Sequence, residues 1–451
     1  DVHAVLGDFE RARADYEAAL VLANASSAPL DEARILGTLA ALWGGHKDYE
    51  KGLSLSREAV AIAEWAGDAP GARRVSAEAH LRVGLMELNL ARMTASRGEL
   101  SAALALFRDA GDVGGEGRAL DALAMTIALS GDLGASIEHM REALPRLVES
   151  GDRQTESSCM ATLGFVLVLR GRRAEGELWM GKALAAARAI GVRSQEPYAH
   201  WCIGELVDPF GDWGLALQEA SAGLAIAQAI GHREWTAASL AALGRIHRNC
   251  GAVDGARRLH DEMLAIAKDL RTTLWIADAM GEVGQDLIAA DEADGARMLG
   301  EAVELAGEAA KFAMRPLLAL ADLALHQSRP GDALESARRF QRTFAQFAVH
   351  AADGRRMEGE ALLALGRIAE AETLLRRAKA ETAALGVAPA GWRASLALAR
   401  LLDATGRADE ARAVRADARR LLEKVAAGLT GAPDLLRGFK ASPVYRQAFG
   451  S

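Results

Sequence analysis

Apolar residues recur along this chain at three- and four-residue steps, and short polar or glycine-bearing turns break each run. In residues 233–271, Leu240, Leu243, Ile246 and His247 fall at helical spacing, with Gly244 among them. Cys250-Gly251-Ala252-Val253-Asp254 follows, and Gly251 suits the left-handed conformation that ends a helix. A second run then places Ala256, Leu259, Met263, Leu264 and Ala267 on one face and stops near Leu270. Two such helices joined by a short loop predict an antiparallel hairpin. Runs of β-branched and aromatic residues are scarce. The expected fold class is all-α.

The hairpin repeats. Gly84, Ala124, Gly164, Gly204, Gly244, Gly284 and Ala324 form a ladder of small residues with a period of 40. Gly131, Gly171, Gly211 and Gly251 run in step with it, as do Ala143, Ala183 and Gly223. Three ladders of one period predict an array whose units bury their apolar faces only by stacking. Turns are expected at Gly98, Gly131, Gly171, Gly211, Gly251, Gly331, Gly366 and Gly406, and at Gly7-Asp8-Phe9-Glu10. Lys47 and Asp291 occupy the same slot without glycine. The uneven spacing on either side of Gly98 predicts an irregular repeat near 73–111, with a long first helix over 73–96 and a short second one. Residues 1–428 are read as the array and 429–451 as a capping segment, with Leu435, Leu436, Phe439, Tyr445 and Phe449 covering the last apolar face.

The spacing of small residues resembles that of the tetratricopeptide repeat. Its three small slots correspond to Gly204, Ala216 and Gly223, to Gly164, Gly176 and Ala183, to Gly359, Ala371 and Ala378, and to Ala399, Ala411 and Ala418. The period is 40 rather than the usual 34, and Ile190-Gly191, Ile230-Gly231 or Leu385-Gly386 replaces the usual closing proline. The resemblance implies a right-handed superhelical solenoid of about ten to eleven hairpins. Arrays of this period, ending in a tail such as Pro433-Asp434-Leu435-Leu436-Arg437-Gly438-Phe439, also resemble the sensor arms of bacterial STAND signal-transduction ATPases. That second resemblance implies an upstream NTPase module, and the opening at Asp1 inside a repeat fits a fragment of a longer chain.

Composition narrows the function classes. The formal net charge of the 451 residues is -8, which disfavours a nucleic-acid groove. No apolar run reaches the length of a membrane helix. Cys159, Cys202 and Cys250 form no CxxC pair, which fits a reducing, cytoplasmic setting. Phosphate-loop, HExxH and GxSxG motifs are missing, and the histidines show no metal-ligand spacing. An enzyme, a cofactor and a metal are therefore not expected.

Binding is better supported. In tetratricopeptide hairpins the first helix lines the concave face, and counting from the small residues places Tyr198, Trp201, Glu205 and Asp208 there. The next repeats add Trp235, Arg245, Arg248 and Asn249, then Trp275, Asp278 and Gln285. Arginine and tryptophan are the residue types that dominate binding hot spots. The expected function is a sensor scaffold taking a partner protein, peptide or small inducer in its groove. Two alternatives stay open: Glu205 and Arg245 pair only with each other, or the array is an oligomerisation or spacer arm.

Overall fold

A computed structural model describes residues 9–45, 48–67, 69–191 and 195–449. The slot at Lys47 and the Gly7-Asp8 part of the first expected turn lie outside them. Helix α1 (Phe9–Ala25) precedes α2 (Pro29–Gly45), α3 (Tyr49–Trp65), α4 (Ala72–Asn89), α5 (Met93–Ala110), α6 (Val113–Ser130) and α7 (Leu133–Ser150). Then come α8 (Arg153–Leu169), α9 (Arg173–Ile190), α10 (Gln195–Val207), α11 (Trp213–Ala229), α12 (Arg233–Asn249) and α13 (Val253–Leu270). The array continues with α14 (Thr273–Ala289), α15 (Asp294–Ala306), α16 (Ala310–His326), α17 (Pro330–Thr343), α18 (Ala348–Ala364) and α19 (Ile368–Leu385). It ends with α20 (Ala388–Ala404) and α21 (Ala408–Gly428), and two short helices follow, α22 (Pro433–Ala441) and α23 (Pro443–Phe449).

From α2 to α21 the helices pair in order as antiparallel hairpins, and the first helix of each pair also packs on the first helix of the next. The fold is an all-α, tetratricopeptide-like solenoid, as the ladders predict. First helices lie inside and second helices outside. Eleven residues of α12 are buried but only five of its partner α13.

The helices keep a strict beat because one residue in twenty turns left-handed. Ala91, Gly111, Gly131, Gly151, Gly171, Gly191, Gly211, Gly231, Gly251, Arg271 and Asp291 all have positive φ. An aspartate often follows the stop and starts the next helix. The side chains of Asp112, Asp132 and Asp152 accept from the backbone N–H groups of Gly115, Ala135 and Thr155 at 2.9, 3.2 and 3.1 Å.

Three expectations change here. Gly98 lies inside α5, and the turn is at Ala91, which accepts φ 61 despite its Cβ. The repeat at 73–111 is therefore regular, and its extra residues sit in the loop before Ala72, where Gly67 and Gly71 are both left-handed. Gly331 likewise lies inside α17, and Ser328 makes that turn. The real irregularity is at α15 and α17, with 13 and 14 residues where α13 has 18.

The small residues mark close approaches, with one refinement. Gly164 and Gly176 bring two backbones together, since a methyl on Gly164 would lie 2.8 Å from the Gly176 carbonyl oxygen. At Gly244 the crossing is filled by the His260 ring, whose Nε2 would stand 2.3 Å from such a methyl.

The solenoid completes a turn and meets itself. Thr94 donates its N–H to Glu308 (2.6 Å), 214 residues on, and the Gly134 N–H donates to Gln346 Oε1 (2.8 Å). First helices touch across the two coils, α6 on α16 and α8 on α18. The left-handed glycines that end first helices, Gly131, Gly171, Gly211 and Gly251, face this seam. A methyl on Gly171 would lie 3.0 Å from Leu385, and one on Gly211 would lie 2.5 Å from Val425 and 3.0 Å from Ala388. The C-terminal segment joins the coils too, because Phe439 is fully buried against Trp213 (5.3 Å between centroids) and Trp392 (6.0 Å).

Gly211 and Gly231 share a left-handed backbone, at φ 76 and 68, but nothing lies within 4 Å of a methyl on Gly231. Alanine at either should cost about 1–2 kcal/mol of backbone strain. Only Gly211→Ala should add about 1–3 kcal/mol of overpacking. Urea unfolding of both variants tests this, and equal losses would remove the seam from the account.

Candidate functional site

Four consecutive first helices present charged side chains to one another at the same level. Glu205 comes from α10, Arg245 and Arg248 from α12, Glu282 and Asp286 from α14, and Arg315 from α16. Arg245 is ion-paired to Glu205 and reaches Glu282 at 3.1 Å. Arg248 holds Glu282 at 2.6 Å and Asp286 at 2.9 Å, and Arg315 holds Glu205 at 2.9 Å. Both ring nitrogens of His260 face acceptors, the Asp286 carboxylate and the Ala241 carbonyl (3.2 Å). Glu205, Arg245, Glu282, Asp286 and His260 are buried.

Burial pushes Glu282 up, but Arg248, Arg245, His260 and Arg315 together overcome it and hold its carboxyl well below the usual range. Burial, with Arg315 beside it, lowers Arg245 to about 10. Facing this network, burial lowers His350 to about 3, helped by Arg315, Lys311 and Arg245, so this ring stays neutral.

A stack of aromatic rings lies next to the ion network. Tyr198 meets Trp235 at 4.8 Å and Trp201 at 6.0 Å, and Trp201 meets Trp275 at 6.0 Å. The Tyr198 hydroxyl hydrogen-bonds Thr162 (2.6 Å), and Trp275 Nε1 donates to Glu234 (2.9 Å). Lys311 Nζ lies 4.7 Å from the Phe312 ring and 5.6 Å from Trp201. Burial lowers this lysine to about 8, against the pull of Asp278.

The eleven residues expected in a groove therefore converge, in two different settings. Tyr198, Trp201, Trp235, Trp275 and Asp278 belong to the packed aromatic level. Glu205 and Arg245 pair, but not only with each other, since Arg315 also holds Glu205 and Glu282 also holds Arg245. Open space begins beyond them, in a cavity of about 600 Å³. Asp208, Arg245, Arg248, Asn249 and Gln285 line it on one side. Arg315 and Asp322 of α16, the next first helix in the row, continue it, and the other side comes from α18 and α20 through His350, Asp353, Trp392 and Arg393, with Val444 of the C-terminal segment.

Counting along the ladder missed Glu282 and Asp286. They stand two residues to either side of Gly284 and face the neighbouring hairpin instead of the groove. The residues from α18 and α20 left no local signal, because the winding of the coil brings them in. Among the described residues no group of three or more metal-ligating side chains is found, and no helix is long and apolar enough to cross a membrane.

These features define a helical-repeat solenoid with a charged internal cavity. Residues 236–270 match the family model described as a tetratricopeptide repeat. A search of curated proteins finds no match. Among solved structures, a Rap protein complexed with competence and sporulation factor is 11% identical, with a TM-score of 0.46, over 88% of this chain and 99% of its own. The Rap conjugation gene regulator of plasmid pLS20, complexed with the Phr* peptide, is 14% identical, with a TM-score of 0.48, over 63% and 77%. Yeast Tom70 is 12% identical, with a TM-score of 0.36, over 98% and 99%.

Because Glu282 titrates below its unfolded value, its stabilisation is complete above the ordinary carboxylate value of 4.5 and drains away as pH falls below it. Glu282→Gln leaves two buried guanidiniums short of a partner and should cost about 3–5 kcal/mol at neutral pH. Its stability should also vary less than that of the parent below pH 4.5. Urea midpoints across that range check both, and an equally steep acid loss in the variant would contradict the assignment.

Proposed function

We propose that this chain is a non-catalytic binding scaffold whose internal cavity receives a short peptide segment of a partner. The observation that carries this is the cavity itself, about 600 Å³ between two coils and lined by ion-paired side chains. That volume falls in the range of small-ligand and peptide pockets. Guanidiniums held by buried carboxylates on neighbouring repeats are already oriented, so a ligand loses less entropy on binding them. The mixture of donors, acceptors and charge suits a peptide backbone with polar side chains better than an apolar ligand.

The finer reading is a sensor arm in a larger signalling ATPase or regulator, in the cytoplasm. The 40-residue period and the tail from Pro433 to Arg446 support it through their resemblance to such arms. Three free, buried cysteines fit a reducing compartment.

The test uses the purified chain and a pool of random octapeptides, with retained peptides identified by mass spectrometry. Ala319 lines the cavity, and Ala319→Trp should fill part of it while the array keeps its helicity. The parent should enrich a defined set of peptides and the filled variant should lose them. Undiminished retention by the variant, or no enrichment by the parent, would overturn the proposal.

A further inference from the structure

Lysine is almost never buried unless its ammonium is paired. Lys311, at the start of α16, is only 7 % exposed. Its Nζ lies among rings from three first helices, 4.7 Å from Phe312 of α16, 5.6 Å from Trp201 of α10 and 6.0 Å from Phe165 of α8. Among the described residues it makes no hydrogen bond and no ion pair. Its three donors end against aromatic faces instead of oxygen.

Burial is the largest influence on this amine and disfavours its charged form. Asp278 on α14 pulls the other way, Arg315 on α16 and Arg245 on α12 add to the effect of burial, and Glu282 on α14 opposes them. Cys202 of α10, pushed by burial up to about 12, and His350 of α18, lowered to about 3, also face it and add no charge at neutral pH. The result for Lys311 is about 8. About a tenth of the amine is then neutral at pH 7. A desolvated lysine beside other cations is an activated nucleophile.

We infer that Lys311 is a carbonyl-trapping site, where Nζ attacks the carbonyl carbon of a small, uncharged aldehyde and holds it as an imine among Phe165, Trp201 and Phe312. The nitrogen lone pair forms the new bond, and the carbonyl oxygen leaves as water carrying the two amine protons. No oxidant or other reactant is consumed. Protonation of the imine restores a cation, which the surrounding rings favour. Walls made of rings suit a short alkyl aldehyde better than a sugar or a charged one. The site lies one helical turn before Arg315, outside the cavity lining, and is independent of any peptide bound there.

The probe is acetaldehyde with cyanoborohydride, which reduces the imine to a stable ethyl-lysine in the folded full chain. Peptide mass spectrometry then locates the label at early times. At pH 7 Lys311 should react at least about tenfold faster than the exposed Lys182 and Lys268, because more of it is neutral. Its rate should level off above about pH 8 in the folded chain, and in urea it should keep climbing toward the ordinary lysine value of 10.5. Asp278→Asn removes a carboxylate that favours the ammonium, so labelling at pH 7 should rise. Lys311→Met should keep the helicity and lose the fast label. Labelling of Lys311 no faster than of Lys182 in the folded chain, or only after unfolding, would leave it a structural cation and overturn the inference. The same pH profile with and without urea, or slower labelling in a folded Asp278→Asn variant, would do so too.

Discussion

When a helix ends at a left-handed residue, its successor runs back alongside it, displaced by one helix width. Repeating that stop every twenty residues, from Ala91 to Asp291, makes all but one of these helices nearly as long as their neighbours, the exception being the 13-residue α10. Equal helices keep one register, so side chains 40 positions apart occupy equivalent places on successive hairpins. Glu205 and Arg245 meet for that reason, and Gln285 takes the next place in the row, beside Arg248. The glycines at the inner turns carry a second duty, since Gly171 and Gly211 also leave room for the following coil. Ala91 shows that the backbone angle alone does not demand glycine.

The ion network trades stability for definition. Burying Arg245 and the carboxylates around it, with Arg248 and Arg315 largely covered, costs desolvation, and their mutual attraction offsets this only when every partner is present. An apolar level there would pack the helices as well but leave the sliding of one repeat on the next less specified. With Glu282 holding both Arg245 and Arg248, hairpins are locked in one relative position. A cavity bounded by such walls keeps its shape before any ligand arrives.

Much of this was legible in the sequence. The period, the helix pairs and the inward face of the first helices follow from small residues at fixed steps, which obey local sterics. Counting from them put Tyr198, Trp201, Glu205, Arg245 and Arg248 in one groove, and they fall in two neighbouring clusters, one aromatic and one charged. Turn identity was less secure, because alanine and serine also adopt the left-handed angle and neither advertises it. Ala91 and Ser328 escaped for that reason, and glycines inside helices stood in for them. The far wall of the cavity was not legible at all. His350 and Trp392 reach it through the winding of the coil, which depends on the summed rotation of many hairpins and on the shortened α15 and α17. The C-terminal segment was read as a cap, and Phe439 does cover apolar surface. Its partners Trp213 and Trp392, however, belong to different coils.

The central claim is that two coils touch and enclose the cavity between them. Cysteines placed at Gly134 and Gln346, whose backbone and side chain meet at 2.8 Å, test it directly with a short bismaleimide. The native cysteines Cys159, Cys202 and Cys250 are buried and should stay unreactive in the folded chain. A closed coil should give an intramolecular cross-link at low protein concentration that disappears on unfolding in urea. A folded double variant that forms no link, or only links between molecules, would show an open spring and contradict the account.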